Sequence, residues 1–244
     1  MSQVLENVTL VAGFTTRSQA YLQAMLNSGF EFQNVILFGS DKGSLPGQTK
    51  SIISHDSDSE IFLPNLSEDL KETLRRTGSS TVVITADNVN SLSMVDKLEE
   101  LSPEFIVYSG YGGQIVRPCI LDIAPVIHMH SGWLPNYRGS TTMYYSWIKE
   151  NFVGVSALKM SEEIDQGDIF LRKRYSAPNK GLNPDYIYDA AVRADTLVSL
   201  IEEYQSIGRL PDGIIQDENE AQEYYIIHPV LKHLALLKQE KQQA

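Results

Sequence analysis

The 244-residue sequence has one cysteine, two tryptophans and no long uninterrupted apolar run. Because Cys119 is alone, the sequence excludes an internal disulfide and a thiolate metal cluster. No apolar stretch approaches the roughly 20 residues that a membrane-spanning helix needs. The N-terminal segment also lacks the basic and apolar regions of a secretion signal. We therefore expect a cytoplasmic protein that has no membrane partner and binds no metal.

Basic residues are scarce: 20 lysines and arginines stand against 31 aspartates and glutamates, and the formal net charge is −11. A nucleic-acid-binding protein normally carries a basic stripe, because neutralising phosphates supplies most of its affinity. The densest basic cluster, Arg172 to Arg174, is too short for that purpose and is typical of a solvated strand end. The composition argues against nucleic acid as a partner, although a few local donors suffice for the diphosphate of a nucleotide.

What the sequence does contain is a regular alternation of short apolar segments with amphipathic ones. Runs rich in β-branched residues predict buried strands, at 8–13, 35–38, 82–85, 105–108 and 126–130. Helical periodicity predicts helices, at 18–26, 67–77, 92–100 and 185–207. This alternation predicts one α/β unit with a Rossmann-like, mostly parallel sheet and helices on both faces.

The remaining segments are less regular. Strands at 153–160 and 169–175 are expected to form an antiparallel β-hairpin around Asp165. Residues 41–58, rich in Gly, Ser, Pro and Asp, predict a loop around a short strand at 51–54. A charged, Tyr-rich segment follows Gly213 and ends in a helical pattern over 229–239. We divide the chain into a main domain over 1–210 and a short C-terminal extension over 211–244.

The most informative segment carries two histidines, His128 and His130, at the end of a predicted strand. Residues two apart on a strand project to the same face. The turn Leu134-Pro-Asn-Tyr-Arg-Gly139 follows, and Asp165 lies downstream in the sequence Asp-Gln-Gly-Asp-Ile. An imidazole, a second polar side chain beside it and a carboxylate to orient the ring are the material of general acid–base catalysis.

This pattern resembles the signature of the folate-dependent formyltransferases, Asn-x-His-x-Ser-x-Leu-Pro-x-x-Arg-Gly, with an Asp-x-Gly-x-Ile element about 35 residues further on. Both the Leu-Pro-x-x-Arg-Gly part and the Asp-x-Gly-x-Ile part match, and His130 occupies the histidine position. His128 stands where the family has Asn, and Gly132 where it has Ser. The resemblance implies an enzyme with the formyltransferase fold, whose catalytic domain is residues 1–210.

The resemblance also assigns catalytic roles. It makes His130 the general base, Asp165 its orienting partner, and His128 the substitute for an Asn that donates a hydrogen bond to the oxyanion. An imidazole N–H is able to make that bond. The turn is expected to contain a cis Leu134–Pro135 bond. Without the resemblance, a lone histidine at a strand end more often has a structural role. For His128 the alternatives are a buried residue that only packs, or a site that has lost its activity.

The formyl donor implied by the resemblance is 10-formyltetrahydrofolate. The Gly-rich segment after the fourth predicted strand resembles the family loop that holds the pterin, because small side chains let backbone groups approach a flat heterocycle. A simple strand-terminal turn is the alternative interpretation. The predicted cofactor-binding residues are Tyr111, Gly113, Gln114, Ile115 and Val116, with Glu162, Glu163 and Ile164 forming the other wall.

Three branches of this family formylate different amines. Methionyl-tRNA formyltransferases carry an RNA-binding domain after the catalytic one, whereas this chain has only about 35 residues there and is acidic. Glycinamide ribonucleotide transformylases use a Gly-rich phosphate loop after the first strand, which here reads Ala12-Gly-Phe-Thr-Thr-Arg17 with one glycine. We expect instead a nucleotide-linked amino sugar, carried on dTDP, UDP, GDP or CMP, for surface polysaccharide biosynthesis.

Arg138, Gly139 and Tyr144 are the predicted acceptor-binding residues, whereas Trp147 is expected in the core of a helix. A formyltetrahydrofolate hydrolase and a glycinamide ribonucleotide transformylase are alternatives with the same fold. A non-catalytic folate-binding module is the alternative of another class. The nucleotide, the sugar and the oligomeric state, including a homodimer, stay open at this point.

Overall fold

The computed structural model describes residues 2–40 and 61–241, with side chains to residue 238. The loop and short strand predicted within 41–58 lie outside the described residues. The strands are β1 (Gln3–Gly13), β2 (Phe30–Phe38), β3 (Ser80–Ile84), β4 (Phe105–Ser109), β5 (Val126–His130), β6 (Arg138–Gly139), β7 (Phe152–Lys159), β8 (Ile169–Ser176) and β9 (Glu223–Tyr224). The α-helices are α1 (Thr16–Asn27), α2 (Leu70–Arg75), α3 (Leu92–Leu101), α4 (Pro118–Leu121), α5 (Thr142–Glu150), α6 (Asp189–Ile207) and α7 (Pro229–Lys241).

Seven of these strands form one sheet in the order β3-β2-β1-β4-β5-β7-β8. The first five run parallel, and β7 and β8 are antiparallel to their neighbours. This confirms the mostly parallel sheet and the hairpin around Asp165. In such sheets ligands bind where the carboxyl ends of the parallel strands meet. Here that edge carries the ends of β1, β4 and β5, and β5 ends at His130.

Apolar residues on both faces of the strands build two hydrophobic cores. Within β1, Leu10 enters one core and Val11 the other, because successive side chains alternate between the faces of a strand. The first core packs against α1 and α6, and the second contains residues of α3 and α4, such as Met94 and Ile120. This confirms helices on both faces of the sheet, the arrangement predicted from the alternation of buried strands with amphipathic helices.

Some boundaries differ from prediction because capping groups, not periodicity, set them. The helix predicted over 67–77 is only Leu70–Arg75, and it begins where the Asp69 side chain accepts a 2.8 Å hydrogen bond from Glu72 N. The long helix predicted from residue 185 opens with a π-helical turn, Pro184–Tyr188, capped by Asn183. The elements α4, β6 and β9 are too short for any periodicity to indicate.

The residues assigned to the C-terminal extension pack back onto the turn that follows His130. Strand β9 pairs in parallel with β6, and Ile214 forms an isolated antiparallel bridge with Ile169 at the start of β8. Helix α7 packs on α5. Within the described ranges, no helix combines the length and the apolar character needed to cross a bilayer.

Candidate functional site

His130 and Asp165 meet at the carboxyl edge of the sheet. His130 is 5% exposed, and its Nδ1 lies 3.4 Å from Asp165 Oδ1. Asp165 Oδ2 accepts a 2.9 Å hydrogen bond from the backbone N–H of Gly139. The Leu134–Pro135 peptide bond between them in the chain is cis, as predicted. The histidine, the turn and the acid loop that the sequence singled out therefore come together.

The second ring nitrogen of His130 also faces a protein acceptor. Nε2 lies 2.7 Å from the carbonyl oxygen of Tyr137 and 3.4 Å from Thr142 Oγ1. A carbonyl only accepts, so Nε2 carries a proton, while Nδ1 faces a carboxylate. A ring that donates from both nitrogens is an imidazolium. The arrangement thus supplies an acceptor for each nitrogen of the His130 ring.

Gly132 makes this placement of the imidazole possible. A Cβ built at Gly132 would lie 2.5 Å from His130 Nε2 and 2.4 Å from the carbonyl oxygen of Tyr137. The serine of the family signature would therefore displace the ring or the turn. The close approach of His130 to the Tyr137 carbonyl accounts for glycine at this position.

His128 projects to the same face of β5 as His130, as predicted. In the antiparallel pairing with β7, His128 lies opposite Leu158 and His130 opposite Ser156. Its Nδ1 lies 3.5 Å from the carbonyl oxygen of Tyr108. Burial, reinforced by the charges of Arg17 and Arg193, holds the pKa of His128 well below 6.5.

The tautomer of a neutral His128 decides what it offers a substrate. A neutral imidazole has one N–H, and donation from Nδ1 to the Tyr108 carbonyl leaves Nε2 as an acceptor. The predicted hydrogen bond to an oxyanion therefore requires the Nε2–H tautomer, which gives up the contact with Tyr108. The Asn of the family signature carries an amide N–H and needs no such change.

Two guanidinium groups lie at the same sheet edge, and the sequence analysis singled out neither. Arg17 of α1 donates to the carbonyl oxygen of Gly110, and Arg193 of α6 donates to that of Met129. Arg193 is paired with Asp189 at 2.9 Å. No carboxylate of the described residues lies within 4.0 Å of Arg17, whose pKa is lowered by burial and by Arg193. The edge beside His128 is therefore electropositive, although the whole chain is acidic.

The predicted acceptor-binding residues occupy internal positions. Arg138 is 3% exposed, and its guanidinium donates to Gln216 and Glu218 of the C-terminal extension. Tyr144 is buried, and its hydroxyl donates to Asp185 Oδ1 at 2.8 Å. The structure thus gives both side chains protein partners in place of the open position expected for an acceptor contact.

Backbone geometry explains the glycine that follows Arg138. Gly139 has a φ of +99°, and a Cβ there would lie 2.1 Å from the carbonyl oxygen of Tyr224. Its N–H is committed to Asp165. Gly139 therefore supports the acid loop directly. Trp147, expected to be a core residue, is fully buried in α5.

The loop after β4 presents a mixed surface. Tyr111 is fixed by its hydroxyl, which accepts from Phe14 N at 3.0 Å and lies 3.2 Å from the carbonyl oxygen of Phe38. Val116 is buried in the second core, so its side chain points away from solvent. Ile115, by contrast, is 56% exposed, and the space around Gly113 is open.

These features suit the flat, amide-edged pterin of a folate. Gln114 donates to the carbonyl oxygen of Asp87 at 2.6 Å, and its own Oε1 is buried without a partner among the described residues. On the β7–β8 loop Ile164 is 65% exposed, and its neighbours Glu162 and Glu163 are exposed as well. Two exposed apolar side chains and an unpaired amide oxygen fit a heterocycle that has apolar faces and a hydrogen-bonding rim. In the described ranges, no three His, Cys, Asp or Glu side chains converge as metal ligands would.

Three residues near the His130–Asp165 pair were not predicted from the sequence: Thr142, Gln216 and Glu218. Thr142 begins α5, and its hydroxyl donates to the carbonyl oxygen of Ser131. Gln216 and Glu218 lie in a polar segment without periodicity. Their proximity depends on the pairing of β6 with β9, which no local pattern indicates.

Comparison with known proteins places these observations in a family. The model of a family described as formyl transferase matches residues 6–190. The methionyl-tRNA formyltransferase of Campylobacter fetus is 31% identical over 140 residues, which cover 57% of this chain and 46% of that protein. That of Helicobacter pylori is 34% identical over 128 residues, 50% of this chain and 40% of the relative. The chain spans less than half the length of these two relatives.

Solved structures share the fold over more of the chain. A sugar N-formyltransferase from a Shewanella species is 17% identical, with a TM-score of 0.56, and the match covers 95% of this chain and 87% of that one. An N-formyltransferase of Helicobacter canadensis, solved with folinic acid and dTDP-3-aminofucose, is 15% identical, with a TM-score of 0.54 and coverages of 90% and 70%. At these identities the likeness shows a common fold.

Proposed function

This chain belongs to the formyl transferase family, and from that membership we propose that it transfers a formyl group from 10-formyltetrahydrofolate to the amino group of a nucleotide-linked amino sugar. The observation that carries the proposal is the contact of His130 with Asp165 at the carboxyl edge of the sheet. The neighbouring loop after β4, with exposed Ile115 and the unpaired Oε1 of Gln114, suits the donor. Surface polysaccharide biosynthesis is the process in which such a product would be used.

Proton transfer is the part of the reaction that His130 performs. The amine must lose a proton as it attacks, and the leaving nitrogen must gain one. To act as a base, the ring turns Nε2 from the Tyr137 carbonyl toward the amine, while Nδ1 stays on Asp165. Once protonated it is the imidazolium that the structure accommodates, stabilised by the Asp165 carboxylate. When bound, 10-formyltetrahydrofolate supplies the formyl carbon in an activated N-formyl group.

We assign to His128 the stabilisation of the negative charge that develops on the formyl oxygen. In its Nε2–H tautomer the ring donates as the Asn of the family signature would. The guanidinium groups of Arg17 and Arg193 lie at the same strand ends and favour negative charge there. The N–H of Gly139 holds Asp165 Oδ2, and the Tyr144 hydroxyl joins α5 to Asp185. Arg138 donates to Gln216 and Glu218.

Charge supports the choice of a small anionic acceptor over a large one. With a formal net charge of −11, the chain repels a polyanion, whereas a nucleotide diphosphate needs only a few local donors. The Helicobacter canadensis protein of the same fold was solved with a nucleotide-linked amino sugar. Methionyl-tRNA is the second candidate acceptor, because the quoted sequence relatives are named for it.

An acceptor panel tests the proposal. The full chain is incubated with 10-formyltetrahydrofolate and, separately, dTDP-3-aminofucose, other dTDP-, UDP-, GDP- and CMP-linked amino sugars, glycinamide ribonucleotide and methionyl-tRNA. Tetrahydrofolate release and the formylated product are followed by absorbance and mass spectrometry. We expect turnover with a nucleotide-linked amino sugar.

Each other result selects a different function. Turnover with methionyl-tRNA or with glycinamide ribonucleotide alone would replace the proposed acceptor. Tetrahydrofolate release without any amine would identify a hydrolase. Folate binding without turnover on any acceptor would favour a non-catalytic folate-binding module.

A further inference from the structure

Gln216 joins the turn after His130 to the loop that carries Asp165. Its Oε1 accepts from Arg138 Nε at 3.0 Å and from Arg138 Nη2 at 2.9 Å. Its Nε2 donates to the carbonyl oxygens of Asp165 at 2.8 Å and of Gly167 at 2.7 Å. The side chain is 7% exposed, and both N–H groups and both lone pairs of the amide are used. We call this set of four hydrogen bonds the Gln216 clasp.

Apart from Gln216, the backbone carbonyls of the acid loop are held at Glu163, which accepts from Ser161 Oγ at 3.0 Å, and at Asp168, which accepts from Lys159 N at 2.9 Å. Asp165 has a φ of +57°, in the left-handed region that non-glycine residues seldom adopt. The residues just before it, Glu162 to Ile164, are exposed and contribute little packing. A conformation of this kind persists only where its surroundings hold it. The Gln216 clasp holds the carbonyl of Asp165 itself and that of Gly167.

The same clasp connects to the carboxylate through a closed path. Asp165 Oδ2 is bound by the N–H of Gly139, and Gly139 directly follows Arg138, the other partner of Gln216. Glu218 compensates the charge of Arg138 with a contact of 2.7 Å. The turn thereby holds the Asp165 side chain through the N–H of Gly139, and Gln216 holds the backbone carbonyl of Asp165. The longest contact in this network is the functional one, 3.4 Å between Asp165 Oδ1 and His130 Nδ1.

We propose that Gln216 is a positioning residue, which acts through Asp165 to hold the carboxylate against the imidazole of His130. Gln216 lies beyond residue 190, where the family match ends. The C-terminal extension therefore completes the catalytic pair in this chain. The kinetic consequence rests on the proposed function, whereas the placement of Asp165 is measurable without any substrate.

The first experiment measures that placement by NMR. Long-range ¹H–¹⁵N spectra of the histidine rings are recorded for wild type, Asp165→Asn, Gln216→Leu and Gln216→Glu, with His130→Gln to assign the resonances. Leucine has nearly the shape of glutamine but forms none of the four hydrogen bonds. Glutamate keeps the contact with Arg138 but repels two carbonyl oxygens. We expect both Gln216 variants to shift the His130 resonances toward their positions in Asp165→Asn.

A matched control separates this effect from general loosening of the extension. Lys232→Met removes the 2.6 Å ion pair with Asp185 that ties α7 to the rest of the chain, and it leaves the Gln216 clasp intact. Its His130 resonances should match wild type. His130 resonances that stay unchanged in folded Gln216→Leu and Gln216→Glu, judged by circular dichroism, would overturn the proposal.

The second experiment is a double-mutant cycle with the acceptor that the panel identifies. Gln216→Leu should lower kcat by about 10- to 100-fold with KM within about twofold, because a misplaced group impairs the reaction more than binding. In an Asp165→Asn background the same substitution should have little further effect. Equal losses in both backgrounds would overturn the proposal. If wild type turns over no acceptor, the proposed function fails, and the NMR measurement still decides the role of Gln216.

Discussion

His128 and His130 stand two residues apart on the same face of β5, yet their surroundings are opposite. The ring of His130 is enclosed, and each nitrogen faces an acceptor, Asp165 or the Tyr137 carbonyl. The ring of His128 faces one backbone carbonyl and two guanidinium groups. Each nitrogen of His130 lies within hydrogen-bonding reach of an acceptor, whereas burial and two cations hold the pKa of His128 well below its usual value. Two identical side chains on one strand thus have different hydrogen-bonding and electrostatic surroundings.

This contrast explains why the two departures from the family signature matter unequally. Gly132 lies against the imidazole of His130, and its lack of a side chain leaves space for that ring. His128 replaces an amide by a group whose donor depends on the tautomer. The first departure is sterically necessary in this structure, whereas the second changes the chemistry on offer. Substitutions on the two sides should therefore differ in size and in kind.

The largest effect is expected for His130→Ala, which removes the group proposed to move the proton. Turnover with the acceptor identified in the panel should fall by about 10²- to 10⁴-fold. The control His233→Ala truncates an exposed histidine of α7 and should match wild type. A His130→Ala variant with wild-type kcat would contradict the assignment of the base.

Asp165→Asn should come next, with a loss of about 100-fold in kcat. The amide oxygen of asparagine still accepts from Gly139 N, so the loop keeps its position, but the negative charge that stabilises the imidazolium is gone. Thermal unfolding should change little. Activity within a few-fold of wild type would show that His130 works without a charged partner.

Gly132→Ser restores the residue of the family signature and is nevertheless expected to be harmful. The new Cβ would lie 2.5 Å from His130 Nε2, so the ring or the turn must move. We expect a loss of stability of about 1–3 kcal/mol and a fall in kcat of about tenfold. Urea unfolding and kinetics measure these changes. For stability the matched control is Gly112→Ser, where a Cβ meets nothing within 4 Å. An unaffected Gly132→Ser variant would mean that the space at Gly132 is not needed.

His128→Asn should have a smaller kinetic effect, with activity retained within about tenfold or increased, since an amide N–H supplies the same donor. The measurement is kcat and KM on the identified acceptor. A loss beyond about 100-fold would instead indicate that His128 supplies something an amide lacks, such as a proton acceptor at Nε2.

The smallest effect is the pH dependence of stability contributed by His128. Its pKa in the folded state is depressed by burial, Arg17, Arg193 and His130, so the unfolded chain binds the proton more readily below pH 6.5. Stability is therefore retained above that pH and lost as the pH falls toward the folded-state pKa, by at most about 1.4 kcal/mol per pH unit. Urea unfolding between pH 5 and 7 should show a shallower slope for His128→Asn. Equal slopes would contradict the depressed pKa.

Much of the fold followed from local patterns. Residues 8–13 of β1 are buried on both faces, which is why this β-branched, largely apolar segment indicated a buried strand of a parallel sheet. The same reasoning located β4, β5 and the hairpin of β7 and β8. Capping decided the shorter helices, as at Asp69 and Asn183, and capping depends on a few side-chain contacts that periodicity does not detect.

The candidate site was predictable only in part. The spacing of His128 and His130 placed them on one face, and the family signature connected His130 with Asp165. It also suggested that Arg138 meets the acceptor, whereas the structure buries that guanidinium against Gln216 and Glu218, about 80 residues away. An arginine in a turn has the same local sequence whether its partner is a substrate or another part of the chain.

The order of residues alone indicated the α/β class, a mostly parallel sheet and the identity of the His130, turn and Asp165 elements, because each follows from a local hydrophobic pattern or a short motif. Only the tertiary structure decided the different surroundings of the two histidines, the need for Gly132 and the partnership of Arg138 with Gln216. These depend on distances between groups far apart in the chain. Such distances are set by strand register and packing, and burial then determines how strongly the groups act on one another.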